Sequence, residues 1–266
     1  MDEVDIPVAG GALRAVSWPG DGPLVIAAHG ITANALSWAA VARALGGKVH
    51  LVAPDLRGRG FSAQLPGPYG MDTHADDLVA IADYFGISRV PLVGHSMGGF
   101  VVAATAGKHP ERVGPVLLVD GGIALGVPAA IDVDVALEAV IGPAMRRLSM
   151  NFDSEDSYVA YFRANPALGR YWSADLEAYI LRDFTGTGST CNLAAVRGDA
   201  ADMLRNPRPA PFPLLWAPRG LADEDTGLYR ADQLTGVDAE PVPDVNHYTI
   251  LTAGAGHVAS RLLALL

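Results

Sequence analysis

Short apolar runs recur along the chain, and each ends on turn-forming or polar residues. Residues 24–28 run into His29 and Gly30, and residues 49–53 into Pro54 and Asp55. Residues 90–93 stop at Gly94, residues 113–119 at Asp120 and two glycines, and residues 212–216 near Pro218, Arg219 and Gly220. Unbroken runs of this length suit strands buried on both faces of a parallel sheet. Segments with helical spacing lie between them, at 34–45, 72–85 and 97–108. The alternation predicts an α/β chain, with helices covering both faces of the sheet. Ligand sites in such sheets lie beyond the carboxyl ends of the strands. The histidine, glycine and aspartate residues just named stand at those ends.

Residues 123–205 break this rhythm. They carry helical patterns at 131–149, 154–164, 173–182 and 192–205, with no strand pattern. A helical cap over 123–205 is therefore expected, inserted into a core formed by 1–122 and 206–266. The segment is rich in aromatic residues, which at helical spacing usually serve packing. A cap must also face the site, so Tyr158, Phe162 and Trp172 are expected to contact substrate. A strand near 239–244 and a helix near 254–265 close the chain.

Composition narrows the class of function. Half of the 266 residues are hydrophobic and 18% are charged, enough apolar material for a large core. The formal net charge of -10 is spread along the chain, which argues against nucleic acid or anionic membrane as main partners. A small-molecule substrate is expected instead. Cys191 is the single cysteine, so no intrachain disulfide can form, and it lacks the context of a nucleophile. The first residues, Met1 to Asp5, show neither the basic nor the apolar region of a leader peptide. No run approaches the roughly 18 apolar residues of a membrane helix. A cytoplasmic location is the expectation. No His/Cys/Asp/Glu grouping has metal-ligand spacing, and no Gly-x-Gly-x-x-Gly follows the first core run, so no metal and no cofactor are expected.

One motif carries chemistry. The run at 90–93 leads into Gly94, His95, Ser96, Met97, Gly98 and Gly99, and a helix-like segment follows from Phe100. This is Gly-x-Ser-x-Gly in a strand–turn–helix setting, which lifts a serine hydroxyl above the sheet edge. Glycines flank the serine because bulkier residues would clash in so sharp a turn. The helix N-terminus beneath presents free N–H groups to a developing oxyanion, Met97 first among them. Ser96 is the expected nucleophile. The alternative is an elbow that keeps the turn and has lost the chemistry.

With His29-Gly30, the string from Asp55 to Gly60 (Asp-Leu-Arg-Gly-Arg-Gly), the Ser96 elbow and a late histidine, the chain resembles the α/β-hydrolase superfamily, in its cap-containing esterase and lactonase-like branch. The resemblance covers nearly the whole chain. It implies a mostly parallel eight-stranded sheet flanked by helices. It implies a catalytic histidine on the loop before the last helix, which His247 fits. It also implies a second oxyanion N–H from the residue after His29-Gly30, namely Ile31, with Thr32 as the fallback. Asp55 and Arg57 would be structural, the arginine bracing loops near the site. The acid has two family locations, and the residues leave both open. Asp120 stands at the end of the strand before the cap, and Asp223 follows the next strand, where Gly220 occupies the commoner acid position.

The members of this superfamily cleave many bonds, so fold does not choose the substrate. A serine at the elbow favours acyl transfer over the chemistry of relatives with aspartate there. The expectation is a cofactor-independent carboxylic ester or lactone hydrolase with a Ser-His-Asp triad, acting on a small or medium hydrophobic substrate. A carbon–carbon bond hydrolase is the enzymatic alternative. A non-hydrolytic small-molecule sensor on the same fold is the alternative of another class.

Overall fold

The computed structural model describes residues 1–124 and 130–266; residues 125–129, part of the expected cap, lie outside the described residues. Eight strands, β1 (Asp2–Val8), β2 (Gly11–Trp18), β3 (Leu24–Ala28), β4 (His50–Pro54), β5 (Val90–His95), β6 (Val113–Val119), β7 (Leu214–Trp216) and β8 (Ala239–Pro241), form one sheet in the order β1-β2-β4-β3-β5-β6-β7-β8. The apolar runs become β3, β4, β5, β6 and β7. With β8 they pair in parallel. The sequence pattern did not signal β1 and β2, an antiparallel hairpin on one edge. Its outer strand carries Asp2, Glu3 and Asp5, and such charge discourages edge-to-edge pairing.

Side chains alternate across the parallel strands. Leu24, Ile26 and Ala28 pack with α2 (Met71–Tyr84) and α3 (Met97–Lys108). Val25 and Ala27 pack on the other face with α1 (Ala39–Leu45) and α9 (Ala255–Leu265). This period of two in a strand covered on both sides is why the runs read as continuously apolar.

Between β6 and β7 stand five helices among the described residues: α4 (Val133–Arg147), α5 (Glu155–Arg163), α6 (Pro166–Gly169), α7 (Ala174–Arg182) and α8 (Leu193–Arg205). Asp132, Ser154, Ser173 and Asn192 cap α4, α5, α7 and α8 through their side chains, the local reason each helix starts where it does. Helix α4 kinks at Ile141, two residues before Pro143. Two buried ion pairs tie these helices to the core: Arg182 of α7 to Asp55, and Asp199 of α8 to Arg59. Among the described residues, no helix is long and apolar enough to cross a membrane.

Candidate active site

Ser96 is the N-cap of α3, with φ 55° and ψ -123°. A non-glycine residue rarely adopts positive φ, and here the surroundings hold it there. The turn is tight enough to exclude other side chains nearby. A Cβ on Gly98 would lie 2.1 Å from the Ala28 carbonyl oxygen, and one on Gly121 would lie 2.1 Å from that of Ser96. Backbone therefore packs on backbone around the serine.

His247 lies on the loop between β8 and α9. Ser96 Oγ lies 3.0 Å from its Nε2, and its Nδ1 donates to Asp120 Oδ2 at 2.6 Å. Asp120 is fully buried at the end of β6, and its other oxygen accepts from the Ala217 N–H at 3.0 Å. That second bond fixes the carboxylate plane and leaves Oδ2 free for the imidazole.

Asp223 does not meet the imidazole. Its carboxylate accepts from Arg219 and Arg170 and from Asn246 Nδ2 at 3.0 Å. Arg219, with Asn246 beside it, holds that carboxyl below the usual range. Asn246 is buried, and its Oδ1 accepts the N–H groups of Tyr248 and Thr249. Asp223 thus braces the loop that carries His247. Of the two acid locations left open by the residues, the one at Asp120 has the hydrogen bond.

His95 braces the same loop from below. Its Nε2 donates to the His247 carbonyl at 2.8 Å, and the two rings lie 4.7 Å apart. Burial, and then the neighbouring His247, push its pKa well below the ordinary histidine value.

The loop after β3 is held by an imidazole. The Leu56 N–H donates to His29 Nε2 at 2.9 Å, so the ring proton sits on Nδ1, which donates to the Gly30 carbonyl at 2.8 Å. Burial lowers the His29 pKa to about 3, so the ring is neutral. In a trans peptide the C=O and N–H point in opposite directions. Pinning the Gly30 oxygen therefore also aims the Ile31 N–H. Neither that N–H nor the Met97 N–H has an acceptor among the described residues, and both residues line the cavity above Ser96.

That cavity has a volume of about 300 Å³ and a largely aliphatic wall, including Leu137, Ile141, Leu168, Leu176 and Met203. Tyr179, Tyr229 and Tyr248 also face it, and no lysine or arginine does among the described residues.

The expected substrate contacts Tyr158, Phe162 and Trp172 do not line this cavity. Tyr158 is fully buried, and its hydroxyl bonds to Asp183 and Arg147 inside the helical layer. Phe162 packs edge-on against Tyr158 beneath the Arg147 guanidinium. Trp172 lies under Arg163 and donates to Glu177. These rings form a core of their own with Phe152 and Ile180, since five short helices must bury apolar surface among themselves. The aliphatic wall was missed because leucines at helical spacing carry no sign of which face meets a cavity.

Asp55 and Arg57 fall where a structural role requires. Asp55 accepts from the N–H groups of Ala35 and Phe61, and Arg57 makes a bidentate bond to Asp77 of α2. Among the described residues, no group of three or more His, Cys, Asp or Glu side chains is placed to hold a metal ion.

This arrangement, a serine on a strained elbow beside an imidazole–carboxylate pair, belongs to the class of α/β hydrolases. The alpha/beta hydrolase fold family model matches residues 23–187, and the chain belongs to that family. A Caulobacter segnis protein provisionally named as a carbamate hydrolase, RutD, is 36% identical over 107 residues, covering 39% of this chain and 40% of that protein. Lipase LipV of Mycobacterium tuberculosis is 32% identical over 126 residues, covering 46% of this chain and 48% of the lipase. These matches therefore span less than half of either relative. Among solved structures, E-2-(acetamidomethylene)succinate hydrolase superposes with a TM-score of 0.76 at 22% identity, covering 99% of this chain and 98% of that one. The likeness to that structure is one of fold.

Proposed function

We propose that this hydrolase cleaves a carboxylic ester or lactone of a small to medium, uncharged and hydrophobic substrate. The observation that carries the reading is the hydrogen-bonded series Ser96, His247 and Asp120 opening on an apolar cavity. Ser96 Oγ attacks the substrate carbonyl as His247 Nε2 takes its proton. Asp120 holds the imidazole by Nδ1–H and stabilises the imidazolium. The N–H groups of Met97 and Ile31 receive the oxyanion. His247 then protonates the leaving group, and a water that it activates releases the acid from the acyl-enzyme.

The absence of lysine and arginine from the described wall supports a neutral substrate, because an unpaired carboxylate would lose its hydration there without compensation. We further propose residues 123–205 as the cap, with α4, α7 and α8 closing the cavity. Carbamates belong among the compounds to test, since RutD, with which part of this chain aligns, is provisionally named as a carbamate hydrolase.

The test is a panel of p-nitrophenyl esters, lactones and carbamates assayed with wild type and Ser96→Ala. Turnover of neutral butyrate and hexanoate esters is expected, with a hemisuccinate ester far slower. Hydrolysis that survives Ser96→Ala, or a preference for the hemisuccinate, would overturn the reading.

A further inference from the structure

Arg59 sits in the loop after β4 and is completely buried. Its guanidinium reaches both residues expected to hold the oxyanion. Nε donates to the Ile31 carbonyl at 2.9 Å, and Nη2 lies 3.7 Å from Met97 Sδ. Nη1 donates to the Arg57 carbonyl and pairs with Asp199, which is also completely buried and belongs to helix α8. The other bonds of Asp199 go to core elements: Oδ1 accepts the Gly70 N–H at 2.7 Å, and Oδ2 accepts from His74 Nε2 at 3.1 Å. Burial alone would raise the Asp199 carboxyl, and Arg59 with His74 more than offsets it, bringing it down to about 2. The pair is therefore ionised.

We infer that Arg59 is a positioning residue for the oxyanion hole, and that Asp199 makes its placement depend on helix α8. The inference rests on the proposed acyl-transfer reading. Residue 31 is held at both of its peptides. His29 fixes the Gly30 carbonyl, and so the Ile31 N–H; Arg59 fixes the Ile31 carbonyl. With both ends pinned, the N–H direction is set before substrate arrives, which is when a hydrogen-bond donor stabilises a transition state most. A helix inserted between two strands thereby sets the geometry of a loop at a third.

The test separates transition-state from ground-state binding. Wild type, Arg59→Gln, Arg59→Lys and Asp199→Asn would be assayed on a p-nitrophenyl ester. Each would be titrated with a trifluoromethyl ketone, which forms a tetrahedral oxyanion on the serine, and with the matching methyl ketone as a ground-state mimic. The expected result is a kcat loss of about tenfold or more with KM nearly unchanged for Arg59→Gln, and an equal loss of trifluoromethyl ketone affinity. Methyl ketone affinity should stay constant. Asp199→Asn keeps the shape of the side chain and should show the same pattern at smaller size, as should Arg59→Lys. Equal weakening of both ketones, or wild-type kinetics in folded variants, overturns the inference and leaves the acyl-transfer reading standing. If Arg59→Gln does not fold, Asp199→Asn decides by the same ratio of ketone affinities. If wild type neither turns over esters nor forms the ketone adduct, the acyl-transfer reading fails and the inference falls with it.

Discussion

The floor of the site and the helical layer above it are built on different principles. At the floor, the ends of β3, β5 and β6 bring backbone against backbone, and Ser96, Asp120 and His29 each have their hydrogen bonds assigned to a single partner set. Little there can change without a clash or an unpaired group. The layer from α4 to α8 buries most of its aromatic residues among themselves and turns a largely aliphatic wall, with Tyr179, to the cavity. Aliphatic walls tolerate exchange, since volume and apolarity matter more than direction. In the proposed reading the floor carries the chemistry and the wall the selectivity, with the Arg59–Asp199 and Arg182–Asp55 pairs joining the two.

Substitutions can break this division, starting with the largest effect. Ser96→Ala should lower kcat on a neutral ester by about 10⁵- to 10⁶-fold, with fluorophosphonate labelling abolished. Retained labelling would place the nucleophile elsewhere.

Asp120→Asn should cost about 10⁴-fold in kcat, because an amide favours the wrong imidazole tautomer. Asp223→Asn should cost far less activity and show mainly as reduced thermal stability, since Asp223 acts on the loop through Asn246. Kinetics on both variants with the same ester would compare them, and the reverse ranking would move the acid to Asp223.

Stability against pH should distinguish the two regions as well. His29 takes up a second ring proton only below about 3 in the folded protein, while the unfolded chain does so below about 6.5. Its contribution is therefore complete above about pH 6.5 and is lost as the pH falls toward 3, by on the order of 5 kcal/mol. Asp199, lowered to about 2, contributes fully above about pH 3.8 and loses its share of about 2 kcal/mol only below that. Urea unfolding between pH 7 and pH 4 should steepen through His29, and His29→Gln should flatten it. An unchanged slope would mean that the ring is charged in the folded state.

The smallest effects test the wall. Leu137→Ala should shift preference toward longer acyl chains by about tenfold. Phe162→Ala should lower stability by about 2 kcal/mol and leave chain-length preference as it is. A shifted preference in Phe162→Ala would return that ring to the cavity. Initial rates across a series of acyl chain lengths, with thermal melts, measure both.

Much of the floor was legible in the sequence because its constraints are local. A strand, a glycine, a serine and a helix in immediate succession can fold in few ways, so Ser96 and its elbow were readable from consecutive residues. The apolar runs marked the five central strands for the same reason, as each is buried on both faces. The β1–β2 hairpin escaped because neither strand has such a run: charge punctuates the edge strand β1, and Arg14 interrupts β2. His247 and Ile31 were reachable through resemblance, which supplies what spacing alone lacks.

Pairings over long chain separations were decided only by the tertiary structure. Asp120 and Asp223 are both aspartates at strand ends, and nothing local tells which one reaches a histidine 127 or 24 residues away. The choice follows from the register of β6 against β7, which brings the Ala217 N–H to Asp120 and turns its free oxygen to the ring. The same holds for Arg59, legible as part of a motif string, and for Asp199, which carried no signal. A buried ion pair across 140 residues is created by the packing of α8 on the core and by nothing nearer in the chain.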